Sequence, residues 1–141
     1  MNNYGIGDIL FFTSYYFNDT RESLPHYGIV ILPSILMDYD NNVLCSVVTS
    51  SEKSKTEKYC VALFIDIHKC FSKQTYCCLN RRDIQSLVDL DQERGYPLST
   101  LTKEELIKCF NLLKSIKYSP HQKDKYLIPT IIREWKLLLY N

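Results

Sequence analysis

Apolar positions along this chain follow two different periods. Between residues 9 and 79 they come in short runs rich in β-branched and aromatic side chains, and after residue 102 they recur every three or four positions. The densest runs are Tyr27-Gly28-Ile29-Val30-Ile31-Leu32 and Val43-Leu44-Cys45-Ser46-Val47-Val48. Pro33-Ser34 and Asp38-Tyr39-Asp40-Asn41-Asn42 bound them with turn residues, which predicts two adjacent core strands joined by a loop over residues 33–42. His26 opens the first run and Thr49-Ser50-Ser51 closes the second. Whether His26 and Thr49 meet at one end of that strand pair is the question the pattern raises.

Gly7-Asp8 precedes Ile9-Leu10-Phe11-Phe12-Thr13, a short buried strand. Residues 14–25 read as a polar, turn-rich loop carrying Tyr15-Tyr16-Phe17, and a loop of that length between strands points to function. Residues 50–58 read as a charged loop, and residues 59–67 and 74–79 as strands. Residues 84–88 fit either a short strand or one helical turn, followed by a loop over residues 89–97. Thr102-Lys103-Glu104-Glu105 fits a capping box, in which threonine and glutamate each satisfy a free amide at a helix start. Leu106, Ile107, Cys109, Phe110, Leu113 and Ile116 then form one apolar face of a helix over residues 102–117. Residues 119–125 break it. Pro129 suits the first turn of a second helix, with Ile128, Ile131, Ile132, Trp135, Leu138 and Leu139 as its stripe. That stripe either caps an open barrel end or presents a partner or dimer surface. The predicted fold class is α+β: a small half-open β-barrel of five to six strands followed by two α-helices.

At 141 residues the chain reads as a single domain, and 45% hydrophobic with 23% charged residues is ordinary for a globular protein. A net charge of +1 supplies no overall field for nucleic acid or membrane, so any such binding needs a local patch. Only 4 glycines occur, with no phosphate-cradling glycine motif. The six cysteines (45, 60, 70, 77, 78 and 109) contain no C-x-x-C pair, so neither a metal nor another cofactor is expected. Several lie inside apolar runs, where free cysteine acts as a small hydrophobe, and the expectation is a reduced, cytoplasmic protein. No leader-like segment or run of membrane-spanning length is present, so no membrane association is expected.

In order and spacing, Gly7-Asp8-Ile9-Leu10, His26-Tyr27-Gly28-Ile29-Val30-Ile31 and Val47-Val48-Thr49-Ser50, with a helix after the last strands, resemble the MazF/PemK family of toxin endoribonucleases. The resemblance covers about residues 6–118; the linker and helix of 119–141 lie outside it. It implies an SH3-like barrel, usually a homodimer, that cleaves single-stranded RNA without metal and is covered by an antitoxin protein. It matches Thr49 to the family's threonine or serine at the end of the third strand, and Arg82 to an arginine some members carry after the fifth, with Asp83 the nearest carboxylate. Where the family has Arg-Pro before the second apolar run, this chain has His26-Tyr27, so His26 or Arg21 would have to replace that arginine.

Metal-free RNA cleavage needs a base for the 2′-hydroxyl, a donor for the charge growing on phosphate, and an acid for the leaving oxygen. Histidine changes charge near neutral pH, so His26 is a candidate base or acid; the plain alternative is a strand-end histidine bonded to a loop. Thr49 is a candidate phosphate donor, although a strand-end threonine is common on β-propensity alone. Arg21 and Arg82 are candidate phosphate clamps, or else ordinary solvated charges. Ser50, Ser51, Lys53, Lys55 and Arg81 are candidate RNA-binding residues, with Lys58 adding charge and Glu52 and Glu57 subtracting it. Tyr15, Tyr16 and Phe17 either stack unpaired bases or belong to a core or dimer contact. His68 and His121 show no constellation around them. The resulting expectation is an RNA-cleaving enzyme; the rival is a non-catalytic module on the same barrel that binds a protein or a nucleic acid.

Overall fold

The two dense apolar runs pair side by side, with Ile29 opposite Ser46 and Val30 opposite Cys45. They lie at the centre of a computed structural model that describes residues 4–33, 41–90, 96–116 and 125–140. The strands are β1 (Asp8–Phe17), β2 (Glu22–Leu32), β3 (Asn42–Thr49), β4 (Cys60–Ala62), β5 (Tyr76–Ser86) and β6 (Ser99–Thr100). They form one antiparallel sheet in the order β4-β5-β3-β2-β1-β6. The helices α1 (Lys103–Ser115) and α2 (Ile128–Tyr140) follow, and short 3-10 turns occupy Glu52–Thr56, Leu87–Asp89 and Lys125–Leu127. The α+β half-open barrel with two C-terminal helices is the expected fold class.

Both faces of the sheet are buried, which explains why its central strands read as continuous apolar runs. Ile9, Ile29, Ile31, Leu44, Val48 and Cys77 face the helices, packing with Leu106, Phe110, Leu113, Ile131 and Trp135. Alternate residues Leu10, Phe12, Val30, Cys45 and Val47 point into the curl of the barrel with Tyr15 and Phe17. The curl brings the far half of β1 against the far half of β5, and there side chains replace a backbone ladder. Tyr16 N donates to Gln85 Oε1 and Gln85 Nε2 donates back to Tyr16 O, both at 2.7 Å. Asn18 N donates to Asp83 Oδ1 at 3.1 Å, and Phe12 forms an isolated bridge with Leu90. At the other edge, buried Asp8 accepts from Gly5 N and from the Thr100 hydroxyl, each at 2.8 Å, which pins β6 to β1.

Several segments depart from the sequence expectation. Residues 14–25 are not a loop: β1 and β2 run through them to a tight turn at residues 18–21, where Arg21 takes left-handed backbone (φ 60°). A one-residue shift between the pairs Phe12–His26 and Tyr15–Leu24 marks a bulge. The bulge breaks the two-residue alternation, so Phe12 and Tyr15 both point inward and the polar residues between them mimic a loop. Of residues 59–67, only Cys60–Ala62 is strand, because the chain turns at Phe64, whose carbonyl accepts from Ile67 N and His68 N. Strand β5 instead continues past residue 79 to Ser86, and residues 84–88 are part strand and part 3-10 turn. The charged segment 50–58 contains a 3-10 turn rather than only loop. Most of the two expected loops, residues 34–40 and 91–95, lies outside the described residues, as does nearly all of the 119–125 linker with His121.

The helices follow the pattern closely. Thr102 Oγ1 accepts from Glu105 N at 3.2 Å, and Glu105 Oε1 accepts from Thr102 N at 2.8 Å, the expected capping box, whose threonine is worth about 1 kcal/mol in such settings. Trp135 is fully buried, stacks on Phe110 and donates its indole N–H to Ile31 O at 2.9 Å. The α2 stripe thus covers the outer face of the sheet beside α1, and Leu138, expected within it, is exposed. Among the described residues, no helix is long and apolar enough to cross a membrane.

Candidate functional site

The register of β2 and β3 pairs Gly28 with Val47, so two positions further on His26 stands opposite Thr49. His26 lies where β2 passes from exposed to buried, and Thr49 is the last residue of β3. Both line an open pocket of about 290 Å³ together with Ser50 and Lys73, over a floor that includes Tyr27 and Phe71. Those two rings meet edge-on at 5.1 Å, and Phe11 also packs edge-on with Tyr27 at 5.0 Å.

His26 is held on two sides. Its Nε2 lies 2.7 Å from Val48 O. A carbonyl only accepts, so Nε2 carries a proton and Nδ1 is the nitrogen left for chemistry. Nδ1 makes no hydrogen bond among the described residues. The rings of Tyr15 and Phe17 pack edge-on against the imidazole at 5.8 and 5.3 Å. The Thr49 hydroxyl oxygen accepts from Ser51 N at 3.1 Å, a local turn that leaves its O–H free to donate outward.

The other expected site residues are distributed differently. Tyr15 is fully buried and Phe17 nearly so, so neither is a base-stacking platform; they form the wall behind His26. Tyr16 is half-buried, its backbone held by Gln85. Arg82 is not a surface phosphate clamp. It is 4% exposed, and its guanidinium donates to Leu79 O. The reason is a register break in which Val47 pairs with Cys78 but the next residue, Ser46, pairs with Arg82. The extra residues on β5 are 79–81, of which Leu79 stays in the core while Asn80 and Arg81 are exposed, and Arg82 turns inward to cap the Leu79 carbonyl. Asp83 is buried too, and that burial pushes its carboxyl above the ordinary carboxylate range. Arg81 is exposed, paired with Asp19 at 3.0 Å and lying over the Phe17 ring. Arg21 sits at the hairpin turn, five residues from His26, or on the order of 15 Å along an extended strand. Lys53 and Ser51 are exposed on the 50–56 segment. Lys55 lines a second, adjoining groove that shares Ser50 and Lys73 with the first.

Two features of the candidate site and its surroundings were not visible in the sequence. Lys73 is the cation of the pocket, yet Ser72-Lys73-Gln74 carries no motif; its position follows only from the chain entering β5 beside Thr49, which pairs with Tyr76. His68, which showed no constellation, in fact has one. It is fully buried, with Nε2 2.8 Å from Glu105 Oε1 and Nδ1 2.5 Å from Ser99 Oγ. Glu105 also accepts from Phe64 N at 2.8 Å. Burial pushes the Glu105 carboxyl up, but the amides of Phe64 and Thr102 and the His68 ring outweigh it and hold it below the ordinary value. This closed cluster ties the turn at residue 64, β6 and the start of α1 together. Among the described residues, no group of three or more His, Cys, Asp or Glu side chains could hold a metal ion.

The resemblance to MazF/PemK rests on the sequence motifs alone. No protein-family model matches this chain, and no curated protein matches it.

Proposed function

We propose that this chain is a metal-independent endoribonuclease that cuts single-stranded RNA, acting in the cytoplasm as a homodimeric toxin of the MazF/PemK kind and neutralised by an antitoxin protein. The observation that carries this reading is the shared pocket of His26 and Thr49, which Lys73 also lines, with His26 Nδ1 left unbonded. Nδ1 takes the proton of a ribose 2′-hydroxyl, and the 2′-oxygen attacks the adjacent phosphorus. The Thr49 and Ser50 hydroxyls donate to the non-bridging oxygens as charge builds. The bond from phosphorus to the 5′-oxygen breaks, Lys73 supplies the proton to that oxygen, and a 2′,3′-cyclic phosphate remains. The Tyr27–Phe71 floor offers an apolar surface to an unpaired base.

A second reading, a non-catalytic binding module, is favoured by one specific observation. With Arg82 buried and Arg21 at the hairpin turn, neither of the two candidate arginines lines the pocket. The test is to express wild type beside His26→Ala and Thr49→Ala and follow growth, then measure RNA cleavage and RNA binding by each protein and by Lys73→Gln. The enzyme reading expects growth arrest by wild type alone and weaker, less salt-sensitive binding by Lys73→Gln, whose log-log salt slope falls by about 0.7 for one lost phosphate contact. RNA binding with neither toxicity nor cleavage supports the module instead.

A further inference from the structure

We propose that Cys60 and Cys78 form a reversible disulfide across strands β4 and β5, making this edge of the barrel a thiol-oxidation site. This inference is independent of RNA cleavage. The two residues are direct partners in the ladder, and their sulfur atoms are 3.1 Å apart. The neighbouring ladder bonds, Leu79 N to Tyr59 O and Leu63 N to Thr75 O, both at 2.9 Å, set the alternation. By that alternation Cys60 and Cys78 occupy a non-hydrogen-bonded pair, where facing side chains come closest and the Cα atoms stand about 4.5 Å apart. That separation lies within the span of roughly 4.4–6.8 Å that a disulfide bridges.

Access through half-buried Cys60 distinguishes this pair from the thiols buried in the core, and Cys70, also half-buried, is not its ladder partner. All six cysteines are free thiols. Cys77 and Cys109 also interact with each other, but both are fully buried in the core beneath the helices. Cys60 is half-buried and lines the open groove with Lys55 and Lys73. Cys78, just beneath it, is 5% exposed. Entry is therefore through Cys60, with Cys78 as the resolving partner.

The chemistry needs a low-molecular-weight disulfide as oxidant, and glutathione disulfide is the probe. The Cys60 thiolate attacks one of its sulfurs, giving a protein–glutathione mixed disulfide and one glutathione thiolate. Cys78 loses its proton to solvent and attacks the Cys60 sulfur, releasing the second glutathione. Two protein thiols are oxidised and one glutathione disulfide is reduced to two glutathione molecules. The bond closes residues 60–78 into a ring that contains Phe71 and Lys73, which line the His26 pocket, so oxidation restrains that side of the pocket.

The test incubates the folded full chain with glutathione disulfide, blocks remaining thiols after unfolding, and maps the peptides by mass. The expected product is a Cys60–Cys78 cross-link with the other four cysteines blocked, reversed by dithiothreitol, and accompanied by slower proteolysis between residues 63 and 75. Cys78→Ser is expected to hold Cys60 as a stable glutathione adduct. Wild-type protein that keeps both thiols, stops at the Cys60 adduct, or links a different pair overturns the proposal, and this readout does not depend on any variant folding.

Discussion

His26 donates its Nε2–H to the Val48 carbonyl across 2.7 Å, and that bond decides which ring nitrogen faces chemistry. It also separates the structural role of His26 from its proposed catalytic one. A glutamine amide places a donor near the position of Nε2 but offers no base at Nδ1. His26→Gln is therefore expected to keep stability within about 1 kcal/mol of wild type, the worth of one ordinary hydrogen bond. Its RNA cleavage is expected to fall by about 10²–10⁴-fold, the usual effect of losing a general base. Urea denaturation and a cleavage assay on the same preparation separate the two effects.

Gly28 and Tyr15 define the tightest point behind the site. A Cβ at residue 28 would lie 2.8 Å from Tyr15 Cε2 and 3.1 Å from Cys45 Cβ. Tyr15 is fully buried and backs the imidazole, so its ring has little room to yield. Gly28→Ala is expected to cost about 1–3 kcal/mol through overpacking, read as a lower urea midpoint.

Acid sensitivity should trace to Glu105. Its carboxyl sits below the ordinary value: burial raises it, but the Phe64 and Thr102 amides and the His68 ring win. The stability it contributes is complete above the unfolded-chain value of about 4.3 and is lost as pH falls through the lower folded value. Glu105→Gln keeps one carbonyl oxygen but presents an NH2 to the remaining donors. It is expected to cost about 2–4 kcal/mol at neutral pH and to lose less stability than wild type on acidification below about pH 4. Thermal melts of both proteins across that range check the difference.

Two adjacent arginines should behave oppositely. Arg82 is buried and caps the Leu79 carbonyl at the β5 bulge, so Arg82→Ala is expected to destabilise by about 2–4 kcal/mol. Arg81 is exposed in its pair with Asp19, so Arg81→Ala is expected to cost under about 1 kcal/mol. Equal losses from the two would contradict the inward turn of Arg82.

The centre of the fold was readable in the sequence for physical reasons. Residues 27–32 and 43–48 read as core strands because both sheet faces are buried, and α1 announced itself through the Thr102–Glu105 box. What was hidden lay at irregularities and long-range contacts. The bulge between Phe12 and Tyr15 disguised two strands as a loop, and residues 79–81 turned a polar Arg82 inward. The partners of His68 come from residues 99 and 105, which no local pattern connects to it. The His26–Thr49 end of the site was legible because strand register alone sets it; Lys73 was not, because the turn before β5 brings it there.

Cleavage of an EDTA-treated single-stranded RNA by purified wild type and His26→Gln, with the new termini identified, decides whether His26 is the base of a metal-independent ribonuclease. Wild type is expected to cut without metal and leave 2′,3′-cyclic phosphate ends, while folded His26→Gln does not cut. No cleavage by wild type, or equal cleavage by the folded variant, would contradict it.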